Sequence, residues 1–123
     1  MGKAAKQKGA RGEREFSEVI REASGDAFTA HRGRQYCGGP NSPDIISSMP
    51  LHWEVKRTEK CSPAAFWAQA EADAGLDKEP AVAWKRNGAC WLAFVRAHHL
   101  IALHAKIFRL EQKLKELERQ PEA

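Results

Sequence analysis

Cysteine is scarce in this chain. Its three cysteines, Cys37, Cys61 and Cys90, are scattered and form no C-x-x-C pair. That argues against a disulfide framework or a zinc knuckle and suits a reducing, intracellular setting. Long apolar runs are also missing. Nothing approaches the roughly 20 apolar residues that a membrane-spanning helix needs. The basic start MGKAAKQKGARG has no apolar stretch behind it to make a secretory leader. Gly2 lacks the serine or threonine at position 6 that a myristoylation motif requires. There is no internal repeat and no low-complexity block. No membrane partner is expected.

What remains is an ordinary globular composition over 123 residues, enough for one domain with a real core. Twenty Lys and Arg against sixteen Asp and Glu give a formal net charge of +4. That is a mild lean towards polyanions and decides little by itself.

Residues 1–9 carry Lys3, Lys6 and Lys8 without an acid and read as a flexible basic arm. From Ala10 the pattern turns helical, with Phe16, Val19, Ile20 and Ala23 on one face and Gly25 as the stop. Ala27–His31 reads as a short strand. The Gly/Pro/Asn-rich loop RGRQYCGGPNSP follows. Asp44–Ser48 and Leu51–Arg57 read as two strands around a Met49-Pro50 turn. Ser62 and Pro63 open a helix, as N-cap and first turn, and Gly75 closes it. AVAWKR and ACWLAFV flank Asn87-Gly88, a strong hairpin signal. A long helix runs from about His98 to Arg119. The order predicts an α/β fold, with a central mixed sheet flanked by helices and a long C-terminal helix added. The expected divisions are the arm (1–9), a core domain (10–97) and an amphipathic helix (98–123).

The stretch SPDIISSMPLHWEVKRTEK carries the chemistry. Strand alternation sets Glu54 and Lys56 on one face and Trp53 and Val55 on the other. If Asp44 lies on the neighbouring strand, its carboxylate approaches that of Glu54. Two carboxylates so placed repel unless a cation lies between them. Hard oxygen ligands suit Mg²⁺, or Mn²⁺ in its place, rather than zinc. Such a cation polarises a phosphoryl oxygen and activates water, and a lysine beside it stabilises developing charge. Glu54-Val55-Lys56 alone is more often the pattern of a strand with one solvated face. Glu111-Gln112-Lys113 repeats the spacing on the tail helix.

Taken together, Pro43-Asp44 and Glu54-Val55-Lys56 resemble the PD-(D/E)XK nuclease signature. Within that superfamily the chain resembles archaeal-type Holliday junction resolvases, which are also found in phages and viruses. Lys8-Gly9-Ala10-Arg11-Gly12-Glu13-Arg14-Glu15 is similar to the family's K-G-x-x-x-E-R-E opening. Arg32 after the first strand, and Pro80-Ala81-Val82-Ala83-Trp84-Lys85, fall in the family's order. The resemblance covers about residues 8–95. It implies a restriction-endonuclease-like core and a homodimeric, Mg²⁺-dependent endodeoxyribonuclease that cuts four-way junctions in DNA recombination and repair. No small-molecule cofactor is implied. The implied setting is the cytoplasm of a bacterial, archaeal or phage-infected cell.

The resemblance further implies a metal site of Asp44, Glu54 and the Val55 carbonyl with Glu13 beside it, and Lys56 as catalytic lysine. Arg14 and Arg32 would contact phosphates, with Lys8, Arg11, Arg34 and Arg57 as further DNA-binding cations and Ser42 as the loop serine. Two rival readings stand beside it. One is a restriction- or repair-type nuclease on duplex or flap DNA; the other is a non-catalytic, basic coiled-coil DNA-binding protein.

Several residues carry a plain reading as well as a functional one. An acid such as Glu13 in a helix's first turn is favoured by the helix dipole without catalysis. Gln69 falls on the helix after E-V-K, near the site or in solvent. Lys85 either flanks the active-site face or snorkels at an edge. His31 either meets phosphate or ends a strand. Trp53, Trp67, Trp84 and Trp91 fit core packing better than base stacking. His98, His99 and His104 lack the companions of a zinc site.

Leu100, Leu103, Ile107, Leu110, Leu114 and Leu117 form an a/d seam of about two and a half heptads. Lys106 and Lys113 fall at g, and Glu111 and Glu118 at e. A parallel pair would match opposite charges, whereas an antiparallel pair would set like charges together. A parallel dimer contact is expected; the other reading is an amphipathic helix packed on its own domain.

Overall fold

The computed structural model describes residues 3–33, 44–76 and 78–120, with side chains from residue 8 onward. The elements are α1 (Lys3–Ala23), β1 (Ala30–Arg32), β2 (Ile45–Ser47), β3 (Leu51–Arg57), α2 (Pro63–Ala74), β4 (Glu79–Lys85), β5 (Leu92–Phe94) and α3 (Ala97–Arg119).

The first helix begins at Lys3, so residues 3–9, expected as an arm, form its opening turns. Alanine, lysine and glutamine are strong helix formers, and only Gly9 among them is weak. The helix ends where expected. Asp26 N–H donates to Arg21 O at 2.8 Å and Gly25 N–H to Glu22 O at 3.1 Å. Gly25 and Asp26 have φ of 58° and 63°, which glycine and aspartate tolerate best.

β3, α2 and β4 form a crossover unit. Ser62 stands at the N-cap of α2, but its hydroxyl makes no capping bond. β3 and β4 run parallel, with Glu54 opposite Val82 and Lys56 opposite Trp84. β5 adds antiparallel to β4, with Trp84 opposite Leu92. These three strands make the mixed sheet. β1 and β2 form a separate antiparallel ribbon, with Ala30 opposite Ser47. Gly33 N–H donates to Asp44 O at 2.8 Å and so closes the ribbon's open end. The expected two-residue hairpin is longer. Gly88 does turn, at φ 73°, but residues 86–91 all lie outside the strands. Trp91 packs on Phe16 instead, with ring centroids 5.1 Å apart.

The core lies between α1 and one face of the sheet. Phe16, Ile20, Ala30, Ile45, Leu51, Trp53, Ala81 and Ala83 are buried there, with the Phe16 and Trp53 rings edge to face at 4.6 Å. Each large side chain so buried contributes about 1.5–3 kcal/mol. An apolar cleft of about 300 Å³ opens on this side, lined by Phe16, Val19, Ile20, Phe28, Met49 and Trp53 among others. It holds no acid.

At Gly12, α1 lies directly against the Arg57 side chain of β3. A Cβ there would run into the Arg57 side chain, whereas one at Gly9 would meet nothing within 4 Å. Gly9→Ala should therefore raise stability by about 0.5–1 kcal/mol, the ordinary helix gain. Gly12→Ala should lower it by about 1–3 kcal/mol, because overpacking outweighs that gain. Urea unfolding of the two variants checks the opposite signs.

Candidate active site

The site lies at the edge of β3 that β4 leaves free. A strand residue directs its N–H and C=O to the same edge. Among the described residues, that edge meets no strand at Val55: its N–H donates to Asp44 Oδ2 at 2.8 Å. Asp44 stands at the mouth of the β1–β2 ribbon, just before β2. The Val55 carbonyl opens to the same side.

Strand alternation turns His52, Glu54 and Lys56 towards α2. Glu54 is buried, with 4% of its surface exposed. Its Oε1 lies 3.4 Å from Lys56 Nζ. Lys56 Nζ also donates to Gln69 Oε1 of α2 at 2.7 Å and lies 5.5 Å from the Phe66 ring centroid. Glu13 comes from α1 and is 7% exposed. Its Oε2 accepts from Arg32 Nε at 2.6 Å. Because α1 starts at Lys3, Glu13 is mid-helix, so the dipole explanation for an acid there does not apply.

Burial makes ionisation costly for all three acids. It pushes the Glu54 carboxyl up to about 7; the Asp44 charge adds to this, and Lys56 opposes it. Burial also raises Asp44, against the Val55 amide bond and the Lys56 charge. Glu13 is raised by burial, held down by the Arg32 hydrogen bond, and raised again by Asp44. Asp44 is thus the common neighbour whose charge opposes ionisation of both glutamates.

Among the described residues, no three His, Cys, Asp or Glu side chains are grouped closely enough to cage an ion alone. Each carboxylate is engaged elsewhere: Glu13 on Arg32, Glu54 on Lys56, Asp44 on the Val55 amide. Mg²⁺ does not need a protein cage, because it keeps several waters and takes only one or two carboxylates. The buried Glu54 carboxyl and the half-buried Asp44 carboxyl, which repel each other beside the Val55 carbonyl, are a hard-oxygen donor set that fits such an ion.

Other expected residues fall differently. Arg11 and Arg14 are exposed on α1, and Lys8 lies 4.0 Å from Glu59. Arg57 faces α1, not solvent: its side chain is 11% exposed and its Nε lies 3.8 Å from Glu15. Its Nε and Nη1 are buried and find no hydrogen-bond partner among the described residues. Lys85 stands opposite Arg57 in the β3–β4 register, on the face opposite Glu54 and Lys56. Arg34, Ser42 and Pro43 lie outside the described residues. His31 is exposed at the centre of β1. Trp53 and Trp91 pack in the core, Trp84 Nε1 donates to Thr58 O at 3.0 Å, and Trp67 lies beneath Arg96.

Two residues escaped the sequence reading. The charge of Asp73 on α2 raises both Asp44 and Glu54. Its i+4 spacing from Gln69 was the available signal. His52 is buried beside the acids with its Nε2 unpartnered, and it bears on Asp44. In the sequence it reads as one more strand residue.

The chain is similar to the solved structure of Hjc, a Holliday junction resolvase from the archaeal hyperthermophile Archaeoglobus fulgidus. Identity is 28% and the TM-score 0.52, covering 69% of this chain and 74% of that one. The expected likeness to archaeal-type resolvases is found in the fold, including the mixed sheet flanked by helices. No family model and no curated protein matches the chain.

The raised Glu54 carboxyl sets a pH dependence. The folded state holds this proton more tightly than the unfolded chain does. Its contribution to stability therefore falls as pH rises from the unfolded value of 4.5 to about 7, and the cost is greatest above that. Without divalent cations, Glu54→Gln should raise the melting temperature at pH 8, and the gain should shrink towards pH 5. Thermal unfolding across that range checks it.

Proposed function

We propose that this chain, which shares its fold with an archaeal Holliday junction resolvase, is a divalent-cation-dependent DNA endonuclease that resolves four-way junctions as a homodimer. The observation that carries the proposal is the convergence of Asp44, Glu54 and the Val55 edge, with Lys56 held against Glu54. Its place would be in DNA recombination and repair.

Asp44, Glu54 and the Val55 carbonyl would hold Mg²⁺, or Mn²⁺ in its place, with Glu13 beside them. When bound, the cation supplies Lewis-acid polarisation of the scissile phosphate and a lowered pKa for the attacking water. Lys56 has three ammonium donors and gives one to Gln69 and one towards Glu54. The third is free to orient the water or meet a phosphate oxygen as charge grows on it. Gln69 acts as the support that aims this ammonium.

Glu13 and Arg32 form one unit. Arg32 remains 39% exposed in its side chain while bound to Glu13, so it can meet a phosphate without losing its partner. Arg11 and Arg14 on α1 add sequence-independent phosphate contacts, and binding is steeply salt-dependent. Hydrolysis by in-line attack leaves a 5′-phosphate. Resolution requires two nicks in strands of like polarity, which a two-fold dimer supplies through two identical sites.

The test is cleavage of a synthetic four-way junction and of a linear duplex of the same sequence, with and without Mg²⁺. The junction should be nicked only with Mg²⁺, and the duplex far more slowly. Asp44→Asn and Lys56→Ala should each slow single-turnover nicking by about 100-fold or more while junction binding persists. Equal cutting of duplex and junction would instead indicate a restriction- or repair-type nuclease. Junction binding with no cutting and no effect of Mg²⁺ would leave a non-catalytic DNA-binding protein.

A further inference from the structure

The helix α3 has no buried residue, yet eight large apolar side chains lie exposed along it, from Leu100 to Leu117. An apolar stripe of this kind on a helix marks a surface that another element covers. Among the described residues, the chain's own core does not do so: the buried cluster and its surrounding apolar residues draw nothing from α3.

The root of α3 is firmly held. Arg96, the residue before the helix, donates to Glu71 of α2 at 2.8 Å and to Glu79 of β4 at 3.1 Å. Its guanidinium lies 5.7 Å from the Trp67 ring centroid. The helix therefore leaves the body from a fixed point with its apolar stripe open.

We propose that α3 is a pairing arm, which joins a second copy of this chain as a parallel two-helix coil. Leu100, Leu103, Ile107, Leu110, Leu114 and Leu117 form the seam. Ile107, at the central one of three a positions, with leucine at every d position agrees with two parallel strands, while Leu100 and Leu114 hold the outer a positions. The charges choose the direction. In a parallel pair Lys106 faces Glu111 of the second copy and Lys113 faces its Glu118, on both edges by symmetry. An antiparallel pair on the same seam sets Lys106 against Lys113 of the second copy. A parallel coil also puts both bodies at the same end, so their sites are related by the coil's own two-fold axis. The pairing does not depend on the nuclease reading, and mass measurements test it without any cleavage.

Sedimentation equilibrium of the full chain should give twice the chain mass of 13.8 kDa, and Ile107→Asp with Leu110→Asp should give a folded monomer by mass and near-ultraviolet circular dichroism. Lys106→Glu with Lys113→Glu should weaken self-association by about tenfold, since four edge pairs become repulsive. Mixing that variant with Glu111→Lys/Glu118→Lys chains should restore a dimer. For direction, Cys37, Cys61 and Cys90 are replaced by serine. Chains carrying either Leu100→Cys or Leu117→Cys are then mixed and oxidised. Parallel pairing links each position only to itself. A monomeric wild type, a dimer that survives both aspartates, or links between positions 100 and 117 would each overturn the proposal.

Discussion

At Val55 the free edge of β3 donates its amide to a carboxylate, Asp44 Oδ2, where a continuous sheet would offer a neighbouring carbonyl. The rest of the site depends on this substitution. It holds Asp44 at the opening between ribbon and sheet and turns the Val55 carbonyl to the same side. It also lets acids from both faces of the sheet reach one place. Glu13 comes from α1, Glu54 from the α2 side, and Asp44 stands between them at the edge.

The electrostatics are unbalanced as they stand. Lys56 lies near Glu54 and Arg32 binds Glu13, yet burial still dominates for all three acids. Removing a charge from water costs several kcal/mol, and a single ion pair of imperfect geometry does not return it. A further positive charge at Asp44 would relieve both glutamates at once, since Asp44 opposes each of them. The same arrangement explains why the carboxylates do not form a ready cage: each has turned to the cation or amide within reach.

Much of this was legible in the sequence because the signals were local. Alternation placed Glu54 and Lys56 together, β3 occupies the residues expected of it, and Gly25 stops α1. What was not legible depends on tertiary context. Residues 3–9 lack acids and large apolar residues, so they read as an arm although their helix propensity is high. Lys85 had two readings, beside the site or at an edge; its face follows from parallel pairing with Arg57, which no local pattern encodes. Arg57 looked like a free cation until Gly12 brought α1 down onto it. Asp73 joins the acids only because the crossover lays α2 over the Glu54 face.

The central claim is that Asp44 and Glu54 hold a divalent cation beside Lys56. Anomalous diffraction from crystals grown with Mn²⁺ at pH 8 tests it most directly. A single strong peak within coordination distance of Asp44, Glu54 and the Val55 carbonyl, lost in Asp44→Asn, is the predicted result. Full density for these side chains with no anomalous peak between them would contradict it.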